Sequence, residues 1–219
     1  DHVFDYLFRE HLKNVYRNLG LEIPEYLKSP LLVMNMGASS MPTASITPIM
    51  DGQDKIDDEW LNAGVINIPE VKYEESHRLF DKIKFGFDED NLYLRFYIDE
   101  EVKENNTNVI HQLYIYMRNN DRKQNLSHIR LTNKSEDVYP IMHEKFSTEM
   151  RLSLVNGMIR PLQFSKSIAG ELWCFQNSDS IKVAYDTVLD VSIPFDSIDI
   201  GKGEMLEFFF ATADFGVLE

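Results

Sequence analysis

The chain has 219 residues, a size that suits one generous all-β domain with an appendage, or at most two small domains. A hydrophobic fraction of 43% and an aromatic fraction of 12% support a substantial core and exclude a disordered chain. A formal net charge of −14 repels phosphate backbones and anionic bilayers, which argues against nucleic-acid and membrane partners.

Residues 1–20 are predicted to form one amphipathic helix. Phe4, Leu7, Phe8, Leu12, Val15, Tyr16 and Leu19 recur at spacings of three and four and so share a face. Gly20 is a natural stop, with Pro24 just beyond it. An apolar stripe of this size must be covered, by the following domain or by a partner. No signal-peptide pattern opens the chain; the compartment is left open, with the cytoplasm favoured.

Residues 21–45 read as a linker. The stretch up to residue 48 carries Pro24, Pro30, Pro42 and Pro48 and the run Asn35-Met36-Gly37-Ala38-Ser39-Ser40. A first strand is expected near Ile46, opening a β-domain over 46–219. The linker's apolar run Leu31–Met34 is far too short to cross a bilayer.

From there the hydrophobic period is close to two. Lys82–Phe87 and Leu92–Ile98 alternate around the turn Asp88-Glu89-Asp90-Asn91, which predicts a β-hairpin. Further strands are predicted at 113–118, 128–132, 150–155, 158–164, 172–176, 181–185, 188–193 and 205–213. Asn156-Gly157 is a hairpin turn signal between two of them. Asp58–Ala63 and Pro194–Ile198 suggest short helical turns. Many short strands with turn residues between them predict an all-β fold, an antiparallel β-sandwich preceded by one N-terminal amphipathic helix.

Two stretches resemble known proteins. The helix from Phe4 to Tyr16, continuing through Leu19-Gly20-Leu21-Glu22-Ile23-Pro24-Glu25-Tyr26-Leu27, resembles the segment that leads into the C-terminal region of long glycoside hydrolase family 57 proteins, of the α-amylase and amylopullulanase type. Ile49-Met50-Asp51-Gly52 with Glu59-Trp60 and Ala63-Gly64 looks like the opening of a family 9-like carbohydrate-binding sandwich. Phe85–Arg95 is similar to that domain's central hairpin. Val191-Ser192-Ile193-Pro194-Phe195, with Leu206-Glu207-Phe208 after the Gly201-Lys202-Gly203 turn, is similar to its closing strands. Residues 100–185 carry no such likeness. The resemblance implies an accessory domain whose parent places its catalytic carboxylates in an N-terminal barrel. This chain has no strand–helix alternation to build one. No catalytic residue is therefore assigned here.

Sugar binding needs aromatic faces that stack on pyranose C–H groups and polar side chains that reach hydroxyls. The candidates are Trp60, Trp173, Tyr114, Tyr116 and Tyr139, with Arg118 and Asn119 as hydrogen-bonding neighbours. Each also has a plainer reading. Trp60 follows an acidic loop and suits the core at a sandwich edge. Trp173, like Cys174 beside it, lies in an apolar run that suits a buried strand. Tyr114 and Tyr116 share one strand face, either an exposed platform or a buried layer.

Acidic residues crowd into turns. The bland reading is a solvated loop, and the alternative is a calcium site, with Asp88 and Asp90 as weak candidates. The 36 acidic residues offer no selectable pair for glycoside hydrolysis. The six histidines form no zinc motif, and no nucleotide-binding loop occurs. The expected partners are thus an oligosaccharide or polysaccharide and the catalytic domain of the same chain, with a homo-oligomer open. No cofactor beyond calcium is suggested. The rival reading is a structural interdomain or oligomerisation module that binds no sugar.

Overall fold

A computed structural model gives the architecture of the chain. It describes residues 2–24, 27, 40–55, 58–68, 79–100, 102, 109–119, 126–128, 131–132, 137–138, 141–155, 158–160, 162–168 and 172–216. Two compact units are present, Asp1–Gly37 and Ala38–Glu219.

The first unit holds α1 (His2–Asn18). Its end is a Schellman turn. Gly20 adopts φ 64°, the Leu21 N–H donates to Tyr16 O at 3.0 Å, and the Gly20 N–H donates to Arg17 O at 3.1 Å. Glycine suits this position because it enters the left-handed region without a Cβ penalty. Along the apolar stripe, Phe8, Val15 and Leu19 are exposed, while Leu12 and Tyr16 are half-buried.

The second unit is all-β and every strand pair is antiparallel. In chain order its strands begin with β1 (Gly64–Asn67), β2 (Phe80–Phe87), β3 (Asn91–Ile98) and β4 (Val109–Asn119). The short strands β5 (Leu126–His128), β6 (Leu131–Thr132), β7 (Asp137–Val138) and β8 (Ile141–Phe146) follow. Then come β9 (Thr148–Val155), β10 (Met158–Ile159), β11 (Gln163–Ile168) and β12 (Leu172–Phe175). The last three are β13 (Lys182–Tyr185), β14 (Leu189–Pro194) and β15 (Leu206–Gly216).

One sheet has the order β1-β2-β3-β14-β13. The other has the order β12-β11-β9-β4-β15, with β10 added to β9. Strand alternation turns Ile83, Phe85, Leu94, Phe96, Val191 and Ile193 of the first sheet toward Leu113, Ile115, Met117, Met150, Leu152 and Phe164 of the second. Edge-to-face ring contacts join the sheets, with Phe96–Phe210 at 5.3 Å and Phe85–Phe208 at 5.5 Å. Each fully buried side chain of this core contributes roughly 1.5–3 kcal/mol, and the half-buried Phe208 and Phe210 less.

The expected hairpin is β2–β3, with Phe87 opposite Leu92. The short helical turns are 3-10 turns at Asp58–Trp60 and Phe195–Ile198. Three expectations need correction. No strand forms near Ile46; its N–H bonds Phe87 O at 3.1 Å while the segment crosses the sheet, and the first strand is β1. The stretch 128–132 is split between β5 and β6, and 158–164 between β10 and β11. Order also begins before residue 46, because Ser40 and Val65 exchange paired backbone bonds of 2.9 Å. Residues 28–39 of the expected linker and the Asn156-Gly157 turn lie outside the described residues. The strands which that turn joins, β9 and β10, do pair.

Candidate functional site

Alternation leaves each sheet an outer face, and the two faces differ in chemistry. On the first sheet, Lys84, Arg95, Asp190 and Ala184 lie directly opposite one another across β2, β3, β14 and β13. Arg95 and Asp190 are buried, at 1% and 0% exposure. Arg95 Nε donates to Asp190 Oδ1 at 2.7 Å, and its Nη2 donates to Oδ2 at 2.9 Å. The Gly52 N–H donates to the same Oδ2 at 3.1 Å, and the Trp60 ring lies 4.7 Å from the guanidinium carbon. Burial pushes the Asp190 carboxyl up against the pull of Arg95. Burial works against the Arg95 charge, and Asp190 more than restores it.

The segment carrying Ile46, Gly52 and Trp60 is therefore a strap over this face. Ile46, Trp60, Ala63 and Tyr93 form its small apolar cluster. Tyr97 donates to Asp54 Oδ1 at 3.1 Å and lies under Lys82 Nζ at 3.7 Å. Burial, with Asp54 beside it, pushes the Tyr97 hydroxyl up to about 12. The Asp-Gly…Trp…Ala-Gly pattern of the sequence performs this fastening, and Trp60, at 2% exposure, is enclosed by it.

The outer face of the second sheet is aromatic. Phe209, Tyr116, Glu149, Ser165 and Phe175 make one row across β15, β4, β9, β11 and β12. Ala211, Tyr114, Arg151 and Gln163 make the next. The Tyr114 and Tyr116 rings are parallel within 2° at 6.2 Å. Around Tyr116 stand Phe146 at 5.6 Å, Trp173 at 6.2 Å and Phe209 at 6.4 Å. Arg118 pairs with Glu207 at the margin. Trp173 lies opposite Ser167, whose hydroxyl is buried with no hydrogen-bond partner among the described residues. Burial pushes the Tyr116 hydroxyl well above the usual tyrosine range, and Glu149 beside it adds to the shift.

The structure thus brings Trp173, Tyr114, Tyr116 and Arg118 together and leaves Trp60 on the other sheet. Tyr114 and Tyr116 do share a face, but both are at 0% exposure, so they form a buried layer and not an open platform. Trp173 and Cys174 are only half-buried, in contrast to the buried-strand reading, because β12 is an outer strand with one neighbour. Among the described residues the exposed rings of this face are Phe209 and Phe175, which the sequence did not single out. Their alternation was visible, but the register that sets them beside Tyr116 was not. Tyr139 lies outside the described residues, as does the side chain of Asn119.

Asp88 organises a turn. Its Oδ1 accepts the N–H groups of Asp90 at 2.8 Å and Asn91 at 2.7 Å, and its Oδ2 accepts the Tyr93 hydroxyl at 2.6 Å. Among the described residues no group of three or more His, Cys, Asp or Glu could hold a metal ion, so no third such side chain joins Asp88 and Asp90 there. Burial opposes the Asp88 charge, but the hydrogen bonds outweigh it and hold the carboxyl below its ordinary value. Burial and Asp88 together push the Tyr93 hydroxyl up to about 12. A carboxyl depressed by folding adds stability above its unfolded value near about 4, and the gain is lost as pH falls through the folded value. Asp88→Asn is expected to lower stability by about 1 kcal/mol at neutral pH. Urea unfolding as a function of pH should show that deficit closing below about pH 4.

No protein-family model, curated protein or solved structure matches this chain.

Proposed function

We propose that the chain is a non-catalytic carbohydrate-binding accessory domain of a glycoside hydrolase, directed at α-glucan. The observation that carries this reading is the aromatic row on the outer face of the second sheet. An antiparallel sandwich already has its core between the sheets, and outer faces are ordinarily polar. Here Trp173, Phe209 and Phe175 offer apolar rings on the face that also carries the part-exposed Arg118, Glu207 and Arg151. That pairing of flat apolar surface with fixed polar groups is what a pyranose ring requires. The α-glucan assignment rests on the likeness of the entry helix to family 57 chains of the α-amylase and amylopullulanase type. Such a domain raises the local concentration of its enzyme on substrate and has no turnover of its own.

Calorimetric titration with malto-, xylo- and gluco-oligosaccharides tests the proposal, with tryptophan fluorescence as a second readout. Saturable binding of the malto series is expected. Trp173→Ala should weaken it about tenfold, or about 1.4 kcal/mol, with the thermal midpoint preserved. Absence of heat at millimolar sugar sinks the reading.

The second reading, a brace between domains, is favoured by the burial of Trp60, Tyr114 and Tyr116 and by the exposed side chains along α1. It becomes the working account if no sugar binds.

A further inference from the structure

Each sheet ends in two outer strands, and three of these four are short. β1, β12 and β13 have four residues each, and β1 is flanked by the Ser40–Val65 bridge. β15 is different. It runs eleven residues, Leu206–Gly216, and pairs with β4 at every position without a register shift. At about 3.4 Å per residue this edge is about 37 Å long. Natural edges of that length are ordinarily interrupted by proline, lysine or a bulge, because a bare edge templates another strand. β15 has no proline, lysine or arginine. Its two charges are Glu207, engaged with Arg118, and Asp214.

The side chains along this edge are incompletely covered. Phe208 and Phe210 pack on Phe85 and Phe96 in the core, yet both are only half-buried. Met205 and Thr212 are exposed, and Phe209 is at the margin of exposure. No described strand lies beyond β15.

We propose that β15 is the interface of a homodimer, in which the second copy's β15 pairs with it in antiparallel fashion about a two-fold axis at Phe210. Self-complementarity argues for a second copy as the occupant. A two-fold axis normal to the sheet keeps core faces aligned with core faces only when paired positions have the same parity. With Phe210 on the axis, Glu207 lies opposite Ala213, Phe208 opposite Thr212 and Leu206 opposite Asp214. No acidic pair is opposed, and the half-buried Phe208 and Phe210 gain cover. A shift by one position sets Glu207 against Asp214 and turns one core face to solvent. The two second sheets then join into one continuous sheet. Because each copy carries a net charge of −14, salt screens their repulsion and should tighten the dimer.

Sedimentation of the full chain over a range of micromolar concentrations at low and high salt tests the proposal. A reversible monomer–dimer equilibrium that strengthens with salt is expected. Thr212→Lys places an ammonium group on the edge and should raise the dissociation constant at least about tenfold with the thermal midpoint retained. Hydrogen exchange of the unaltered chain gives a readout independent of any variant. Amides of 206–216 should gain protection as concentration rises, and those of β1, β12 and β13 should not. A monomer at all concentrations and salts overturns the proposal. So does a dimer whose added protection lies on α1 or any strand other than β15. Neither readout involves sugar, so the outcome is independent of the carbohydrate reading.

Discussion

Asp190→Ala is expected to lower the stability of the sandwich by about 3–5 kcal/mol, the cost of leaving one member of a buried ion pair behind. At this domain size the thermal midpoint should fall by roughly 10 °C. Three donors converge on the lost carboxylate: two guanidinium N–H groups of Arg95 and the Gly52 N–H. Arg95, at 1% exposure, would keep its charge with only the half-exposed Asp54 of the strap, 3.9 Å away, as a counterion, and the strap would lose its main fastening. Asp190→Asn keeps the shape but turns an amide N–H toward a donor, so it recovers only part of the loss. The double change Arg95→Met with Asp190→Leu removes both charges and should be far milder than Asp190→Ala alone. It should still fall short of full recovery, because the Gly52 N–H stays orphaned at a cost of about 1–3 kcal/mol. Thermal and urea unfolding of the three variants measure this. A loss below about 1 kcal/mol for Asp190→Ala contradicts the account of the pair.

Gly52→Ala should cost about 3 kcal/mol, from a left-handed backbone and a steric clash acting together. Gly52 adopts φ 72°, and a Cβ there would meet Asp186 N at 2.7 Å and Tyr185 Cα at 2.8 Å. Those are backbone atoms of a strand end and turn, so they cannot rotate aside. Gly52 O also accepts the N–H groups of Thr187 at 2.8 Å and Val188 at 2.9 Å, which seats the strap against the start of β14. The substitution and Asp190→Ala act on the same contact. Their combined loss should therefore fall well below the sum, by at least about 1 kcal/mol. Strict additivity in a double-mutant cycle would mean that the two residues hold different parts of the fold.

These two positions also mark how far the sequence could be read. Asp51-Gly52 entered the sequence reading only through a resemblance to the opening of a carbohydrate-binding sandwich, and Trp60 as either a sugar-stacking ring or core at a sandwich edge. Their joint role as a strap was not visible, because Arg95 and Asp190 are 95 residues apart and each is an ordinary surface residue type. The tyrosines show the same limit. Alternation put Tyr114 and Tyr116 on one face and Leu113, Ile115 and Met117 on the other, as found. Which face stays open depends on what packs outside the sheet, and period two carries no information about that.

By itself the sequence determined the class of the fold, the central hairpin with its Asp88 turn, the N-terminal helix with its Gly20 stop, and the apolar faces that meet between the sheets. These follow from local turn chemistry and from side-chain period, which act over a few residues. Only the tertiary structure decided strand order, the burial of Trp60, Tyr114 and Tyr116, the assembly of the aromatic row, and the placing of β15 last in its sheet among the described strands. Each of these depends on register between strands distant in sequence, where backbone bonding is the same for many pairings and packing alone selects one.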